Sequence, residues 1–209
     1  MEILLNNIGK RYQYDWIFRA IDCQFKAGQR YAILGPNGSG KSTLMRILSG
    51  HLTPSKGEIE FRENNVVVEK DAVYKRISYA APYIELIEEL TLKESIAFHR
   101  RFKPFISAVS EKDIMNLLGF ENAEQKQIRN FSSGMKQRFK LVLAICSQSS
   151  VILLDEPTTN LDQQGMDWYL ELIERYAGDR LVIVASNVEL DYRFCELRLN
   201  ILDFKKKRH

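Results

Sequence analysis

The segment from Tyr31 to Leu48, YAILGPNGSGKSTLMRIL, constrains this chain more than any other stretch. A short apolar run leads into the closely spaced glycines Gly35, Gly38 and Gly40, and a helical pattern follows. The core of the turn, Gly35-Pro36-Asn37-Gly38-Ser39-Gly40-Lys41-Ser42, fits G-x-x-x-x-G-K-[ST]. Glycines there admit positive φ and close backbone approach, so successive N–H groups can face one concavity that suits an anion. The helix opening near Lys41 adds the partial positive charge of its N-terminus. A chance match to the four fixed positions is expected in roughly one chain of this length in a hundred. The apolar strand before and the helix after lower that further.

The motif therefore reads as a cradle for a nucleotide's phosphates. Lys41 would reach the β- and γ-phosphates, the Ser42 hydroxyl would ligate Mg²⁺, and Thr43 would add an α-phosphate contact. The rest of the composition is ordinary for a globular protein of 209 residues, with 45% hydrophobic and 27% charged residues. A net charge of +3 argues neither for nor against a nucleic-acid partner. Cys23, Cys146 and Cys195 are far apart and form no C-x-x-C pair, so neither a disulfide framework nor a zinc site is indicated, and a reducing cytoplasm fits. The N-terminal MEILLNNIGKRY carries no basic-then-apolar signal region, and no apolar run approaches the roughly 18 residues that span a bilayer. The basic tail KKKRH, Lys205 to His209, reads as a solvated end with some attraction for anionic lipid heads.

In chain order, Ile3 to Leu5, Ala20 to Phe25 and Glu58 to Phe61 read as strands, with Ile77 to Ala80 as another. Tyr12, Tyr14, Trp16 and Phe18 form an aromatic cluster; Phe18 is expected to pack on a sheet, while one ring is free to stack on a purine. Leu92, Ser95, Ile96, Phe98 and Phe102 recur near a 3.6-residue period, and Pro104 stops that helix. Ser110 with Asp113 resembles a capping box for a helix from Glu111 to Leu118, which Gly119 ends. The polar turn NFSSGM, Asn130 to Met135, leads into a helix from Lys136 to Ser147, whose start offers the hydroxyls and N–H groups of Ser132, Ser133 and Gly134 to a second anion.

Val151 to Leu154 is apolar on both faces, as a central parallel strand is, and ends in Asp155-Glu156-Pro157. Carboxylates at that end would stand beside the phosphate loop. Asp155 would hold Mg²⁺ through water and Glu156 would orient or deprotonate the attacking water, since phosphoryl transfer needs positioning and charge neutralisation more than covalent help. A helix from Leu161-Asp162 to about Tyr176, a strand from Leu181 to Ala185, a helical turn between Val188 and Phe194 and a strand from Leu197 to Leu202 complete the chain. This order implies a mostly parallel sheet with helices on both faces.

Over nearly its whole length the chain resembles the ATP-binding subunit of an ABC transporter. FSSGMKQR, Phe131 to Arg138, resembles the family signature LSGGQxxR; VILLDEP resembles its acidic strand, and Asn160-Leu161-Asp162 its D-loop. Tyr12 falls at the family's adenine-stacking aromatic. The resemblance implies an α/β fold, a P-loop NTPase core with a mostly parallel sheet, an N-terminal antiparallel β part and an inserted helical subdomain. Residues 1–85 and 150–209 would form the nucleotide core and about 86–149 the helical subdomain, together one ABC ATPase domain. It implies ATP sandwiched in a dimer, with no nucleic acid expected and with Ser132, Ser133, Gly134 and Met135 of one subunit facing the phosphate loop of the other. A second ATP-binding subunit in a homodimer and a membrane-spanning permease subunit are the implied partners, with the chain cytoplasmic and peripheral on the cytoplasmic face of the membrane.

The departures from the family pattern bear on turnover. Pro82 stands where a metal- and water-contacting glutamine is expected, and Asn187 where the γ-phosphate histidine is. Proline has no side-chain acceptor, and asparagine carries no positive charge. ATP binding is expected to survive and hydrolysis to be slow for the family. Transport ATPase is the leading reading, with the segment Tyr83 to Leu90 in the region where the family docks its membrane partner. An ATP-controlled dimerising clamp or regulator not engaged in transport is the alternative, and a small-molecule kinase is disfavoured by the signature and the acidic pair.

Overall fold

The structure is a computed structural model and describes residues 1–120 and 122–205. All of the basic tail beyond Lys205 lies outside the described residues.

Two sheets organise the chain. The first is antiparallel, built from β1 (Glu2–Tyr12), β2 (Asp15–Phe25), and, later in the chain, β4 (Lys56–Glu63) and β5 (Val66–Val67), in the order β2-β1-β4-β5. Alternation of apolar residues along β1 and β2 turns Ile3, Leu5, Ile8, Phe18, Ile21 and Phe25 to one face, where all are buried. Both strands run longer than the short apolar cores at Ile3 to Leu5 and Ala20 to Phe25 suggest. Backbone pairing continues through the polar residues up to the Tyr12↔Asp15 turn, with register shifts along the way.

The second sheet is parallel, formed by β3 (Arg30–Leu34), β6 (Ile77–Ala80), β7 (Val151–Asp155), β8 (Leu181–Ala185) and β9 (Leu197–Asn200), in the order β6-β7-β8-β3-β9. β7 and β8 are buried on both faces, as their unbroken apolar runs require. Helix α1 (Lys41–Leu48) and the antiparallel sheet share a core with one side of it, through Leu44, Ile47, Leu153 and Ile183. Helices α3 (Leu92–Phe102), α4 (Glu111–Leu118), α5 (Ser133–Cys146) and α6 (Gln163–Tyr176) share a core with the other, through Ile114, Phe139, Ile152 and Tyr169. The short helices α2 (Val73–Arg76) and α7 (Glu189–Tyr192) sit in the connections.

Local signals set the helix ends. The Ser110 hydroxyl accepts from Asp113 N at 3.2 Å while Asp113 accepts from Ser110 N at 2.8 Å, and Gly119 closes α4 in the left-handed conformation. Thr91 and Glu94 form the same reciprocal pair at the start of α3. Helix α3 differs from its periodic reading in one respect. Leu92, Ser95 and Ile96 are buried, whereas Phe98 and Phe102 are 43% and 68% exposed, so the two rings lie on its solvent side, packed on each other. Helix α5 begins at Ser133 rather than Lys136 because Ser132 caps it, accepting from Met135 N at 3.2 Å. Helix α6 begins after Asp162, whose carboxylate accepts from Gly165 N at 2.8 Å. β9 stops at Asn200, where the Asn200 side chain caps a short turn over Ile201–Phe204.

Candidate nucleotide site

The strand order brings four chain segments to one edge of the parallel sheet. At the carboxyl ends of neighbouring strands lie, in sequence across the sheet, Ala81-Pro82 after β6, Asp155-Glu156 at the end of β7, Ser186-Asn187 after β8 and the glycine loop after β3. Open α/β sheets take their ligands at this edge. The backbone joins these segments directly, Glu156 N donating to Ala185 O at 2.8 Å and Ser186 N to Ile33 O at 3.3 Å.

The glycine loop is shaped by what surrounds it. A Cβ on Gly35 would meet Ile201 Cγ2 at 2.6 Å and Ser39 Oγ at 2.8 Å. On Gly40, where φ is 109°, it would meet Ile17 Cγ2 at 2.5 Å, so β2 presses on the loop from behind and only glycine fits. Pro36, Asn37 and Gly38 form the exposed lip. Lys41 is 4% exposed, and its Nζ donates to Gly35 O at 2.8 Å and Pro36 O at 3.4 Å, which holds the ammonium across the mouth of the loop. Ser39 Oγ is buried without a hydrogen-bond partner. Ser42 and Thr43 follow on the first turn of α1, half-buried.

Helix α1 packs back across β7, which sets Ser42 and Lys41 beside Asp155 although β8 separates the two strands in the sheet. Asp155 is 1% exposed. Burial pushes its carboxyl up from the usual carboxylate range, while hydrogen bonds from Ser42 and Tyr83 oppose the rise, Glu156 adds to it and Lys41 opposes it. One of its oxygens, Oδ1, has no partner. A buried, unpaired carboxylate oxygen beside a serine hydroxyl is an oxygen donor set that fits a hard divalent cation. Glu156 sits half-buried with φ of 46°, a left-handed backbone that few side chains other than glycine adopt.

Tyr83 is a residue that sequence reasoning missed. Its hydroxyl donates to Asp155 Oδ2 at 2.9 Å, and the Tyr79 hydroxyl bonds to that of Tyr83. Burial raises both phenols above the ordinary tyrosine value, so they stay protonated. Pro82 itself contributes its carbonyl, which accepts from Lys140 Nζ of α5 at 2.9 Å. Asn187 is exposed at the end of β8. Its neighbour Ser186 donates to Asp191 Oδ2 at 2.6 Å, and Thr158 donates to Asp191 Oδ1, so a buried carboxylate joins this loop to the residues after Glu156.

The other predicted site residues lie at the surface or just beneath it. Tyr12 is 48% exposed at the β1–β2 turn, with Lys10 Nζ 5.4 Å from its ring centre; Phe18 is buried and lies behind Gly40. Ser132 and Ser133 are exposed at the start of α5, Gly134 and Met135 half-buried. A Cβ on Gly134 would lie 3.0 Å from Asn160 O, which places the start of α5 against the segment leading to Asp162.

A family model described as ABC transporter matches residues 18–159. The lantibiotic transport ATP-binding protein SrtF of Streptococcus pyogenes is 31% identical over 188 residues, which cover 88% of this chain and 78% of that protein. The chain belongs to the ABC transporter family. It is an ATP-binding ATPase of that family. A second relative, the uncharacterized ABC transporter ATP-binding protein YcbN of Bacillus subtilis, is 28% identical over 81% of this ABC chain, which spans only 55% of its length. Among solved structures, a putative ABC transporter ATP-binding protein from Pyrococcus furiosus shares the fold, with a TM-score of 0.80 at 22% identity, covering 99% of this chain and 100% of that one. The bacterial ABC transporter cassette MJ0796, solved as a dimer, superposes with a TM-score of 0.78 at 25% identity, covering 95% of this chain and 94% of its own.

Proposed function

We propose that this ABC ATPase closes on ATP as a homodimer and drives a separate membrane-spanning partner, working as a peripheral subunit on the cytoplasmic face of the membrane. The observation that carries the reading is the convergence of Lys41, Ser42, Asp155 and Glu156 at one end of the parallel sheet. Loop amides from Gly35 to Thr43 and the Lys41 ammonium bind the phosphates, and Tyr12 stacks on the base. Ser42 and Asp155 hold Mg²⁺, which when bound neutralises phosphate charge. Glu156 takes a proton from the attacking water, and Asn187 donates a hydrogen bond toward the γ-phosphate.

Ser132, Ser133, Gly134 and Met135 of the second copy, with Asp162 at the joint, complete the site from across the dimer. The dimeric state of MJ0796 supports that arrangement. We divide the chain as one ABC domain, with residues 1–85 and 150–209 as nucleotide core and about 86–149 as helical subdomain. Without a charged side chain at position 187 or a polar side chain at position 82, turnover is slow for the family, because losing one preorganised polar contact costs about 10²–10³ in rate.

The partner's place is a groove of about 380 Å³ lined by Tyr79, Leu86, Ile87, Phe98, Phe102 and Leu143. Its exposed rings suit an apolar segment, and among the described residues no helix is long and apolar enough to cross a membrane. Light scattering with ATP and Mg²⁺ tests the reading. Glu156→Gln is expected to accumulate as an ATP-bound dimer with hydrolysis down about 10²–10³-fold, and Lys41→Ala to retain neither ATP nor dimer. Equal ATP retention by Lys41→Ala and the unaltered protein would overturn it.

A further inference from the structure

The segment after β6 reaches the acidic strand by a route of its own. β6 and β7 are hydrogen-bonded neighbours with Ala80 opposite Leu154, so the first residues beyond β6 must pass beside Asp155. Pro82 has no side chain able to bond there. The next residue, Tyr83, turns its hydroxyl onto Asp155 Oδ2 at 2.9 Å, leaving the buried Oδ1 without a partner. A phenol has one O–H, and Tyr83 donates it in the hydrogen bond to the carboxylate; its oxygen therefore accepts the hydrogen bond from Tyr79, whose ring lies edge-on 6.3 Å away. Lys140 Nζ holds the same segment from the far side through Pro82 O, and Ile84 N closes it by donating to Ala81 O at 3.2 Å.

We propose that Tyr83 is a positioning residue of the divalent-cation site, fixing the Asp155 carboxylate through Oδ2 so that Oδ1 faces the cation, with Tyr79 fixing Tyr83 in turn. The inference rests on the assignment of Ser42 and Asp155 as cation-holding residues. Carboxylates that serve a metal are themselves held by hydrogen bonds, and removing such an outer partner costs about 10–100-fold in metal affinity. The donor here comes from a residue whose immediate neighbours Ile84 to Ile87 line the apolar groove, so cation site and groove share one short segment.

The test uses the full chain, a fluorescent ATP analogue, and Mg²⁺ titrated against a chelated baseline. In Tyr83→Phe, which keeps the half-exposed ring, the Mg²⁺ concentration giving half-maximal tightening of the analogue is expected to rise about tenfold. Affinity for the analogue without metal is expected to stay within about twofold of the unaltered protein, since the lost hydroxyl touches no phosphate-binding group. Tyr79→Phe, which removes only the outer proton, is expected to shift the Mg²⁺ midpoint in the same direction by a smaller factor, about threefold. An unchanged midpoint in Tyr83→Phe overturns the inference. So does an equal loss with and without metal, the mark of a merely structural role. If the unaltered protein retains no analogue at all, the assignment of the phosphate loop fails first and this inference falls with it.

Discussion

His99 shows how much one side chain's setting decides at the residue scale. Its ring stacks on Phe105 at 5.6 Å between centres, and its Nε2 bonds Ser147 Oγ at 2.7 Å. Burial, with the Lys103 charge adding, lowers its pKa to about 4. The unfolded chain takes up a proton near pH 6.5 that the folded imidazole refuses, so stability should be full above that value and fall as pH drops from 6.5 toward 4. Asp155 and Asp191, raised by burial, act in the opposite sense as they gain protons on acidification. Thermal melts of His99→Gln and the unaltered protein across that range therefore isolate the imidazole: the variant should lose less stability on acidification. Lys41, Ser42, Asp155 and Glu156 were legible in the sequence because each sits at a fixed offset from a strand end. Tyr83 was not, because its partner Asp155 lies 72 residues along the chain and is brought close only by sheet order; nor was Asp191, which bonds Thr158 as well as its near neighbour Ser186.

Helix α5 carries more than the exposed serines at its start. Gln137, 2% exposed, donates from Nε2 to Pro157 O at 2.7 Å, so the helix is bonded to the segment that follows Glu156. Lys136 pairs with Glu88 and Lys140 holds Pro82 O, which ties the same helix to the segment between β6 and α3. Gln137→Met, close in volume, leaves the Pro157 carbonyl unpaired and should cost about 1–3 kcal/mol in urea unfolding. Helix α4 could be read from its capping pair three residues apart, and α3 from its 3.6-residue period. The segment from Tyr83 to Leu90 shows no regular period in the sequence because its ties run to a distant stretch: Ile128 N donates to Leu90 O and Arg129 N to Glu88 O.

Across the whole molecule, two sheets and the helices packed on them depend on a few cross-links that periodicity does not reveal. Arg180, just before β8, donates to Ile145 O at 2.7 Å, Ser147 O at 2.8 Å and Ala177 O at 2.9 Å, joining the carboxyl ends of α5 and α6 to the sheet. Positive charge suits those helix ends, and burial lowers its pKa only to about 10, so it stays ionised at neutral pH. Arg180→Met strands several carbonyls at once and should cost about 2–4 kcal/mol in equilibrium unfolding. The parallel sheet was legible because its central strands β7 and β8 are apolar on both faces. The antiparallel sheet was read too short because half of each strand faces water and looks like loop.

The left-handed backbone at Glu156 carries a cost unrelated to charge. Replacing it with glycine should raise the unfolding midpoint by the equivalent of about 1 kcal/mol while hydrolysis disappears. A sturdier but idle protein is thus one substitution away. On the proposed mechanism the φ of 46° favours glycine on folding grounds alone, and the carboxylate is there for the attacking water.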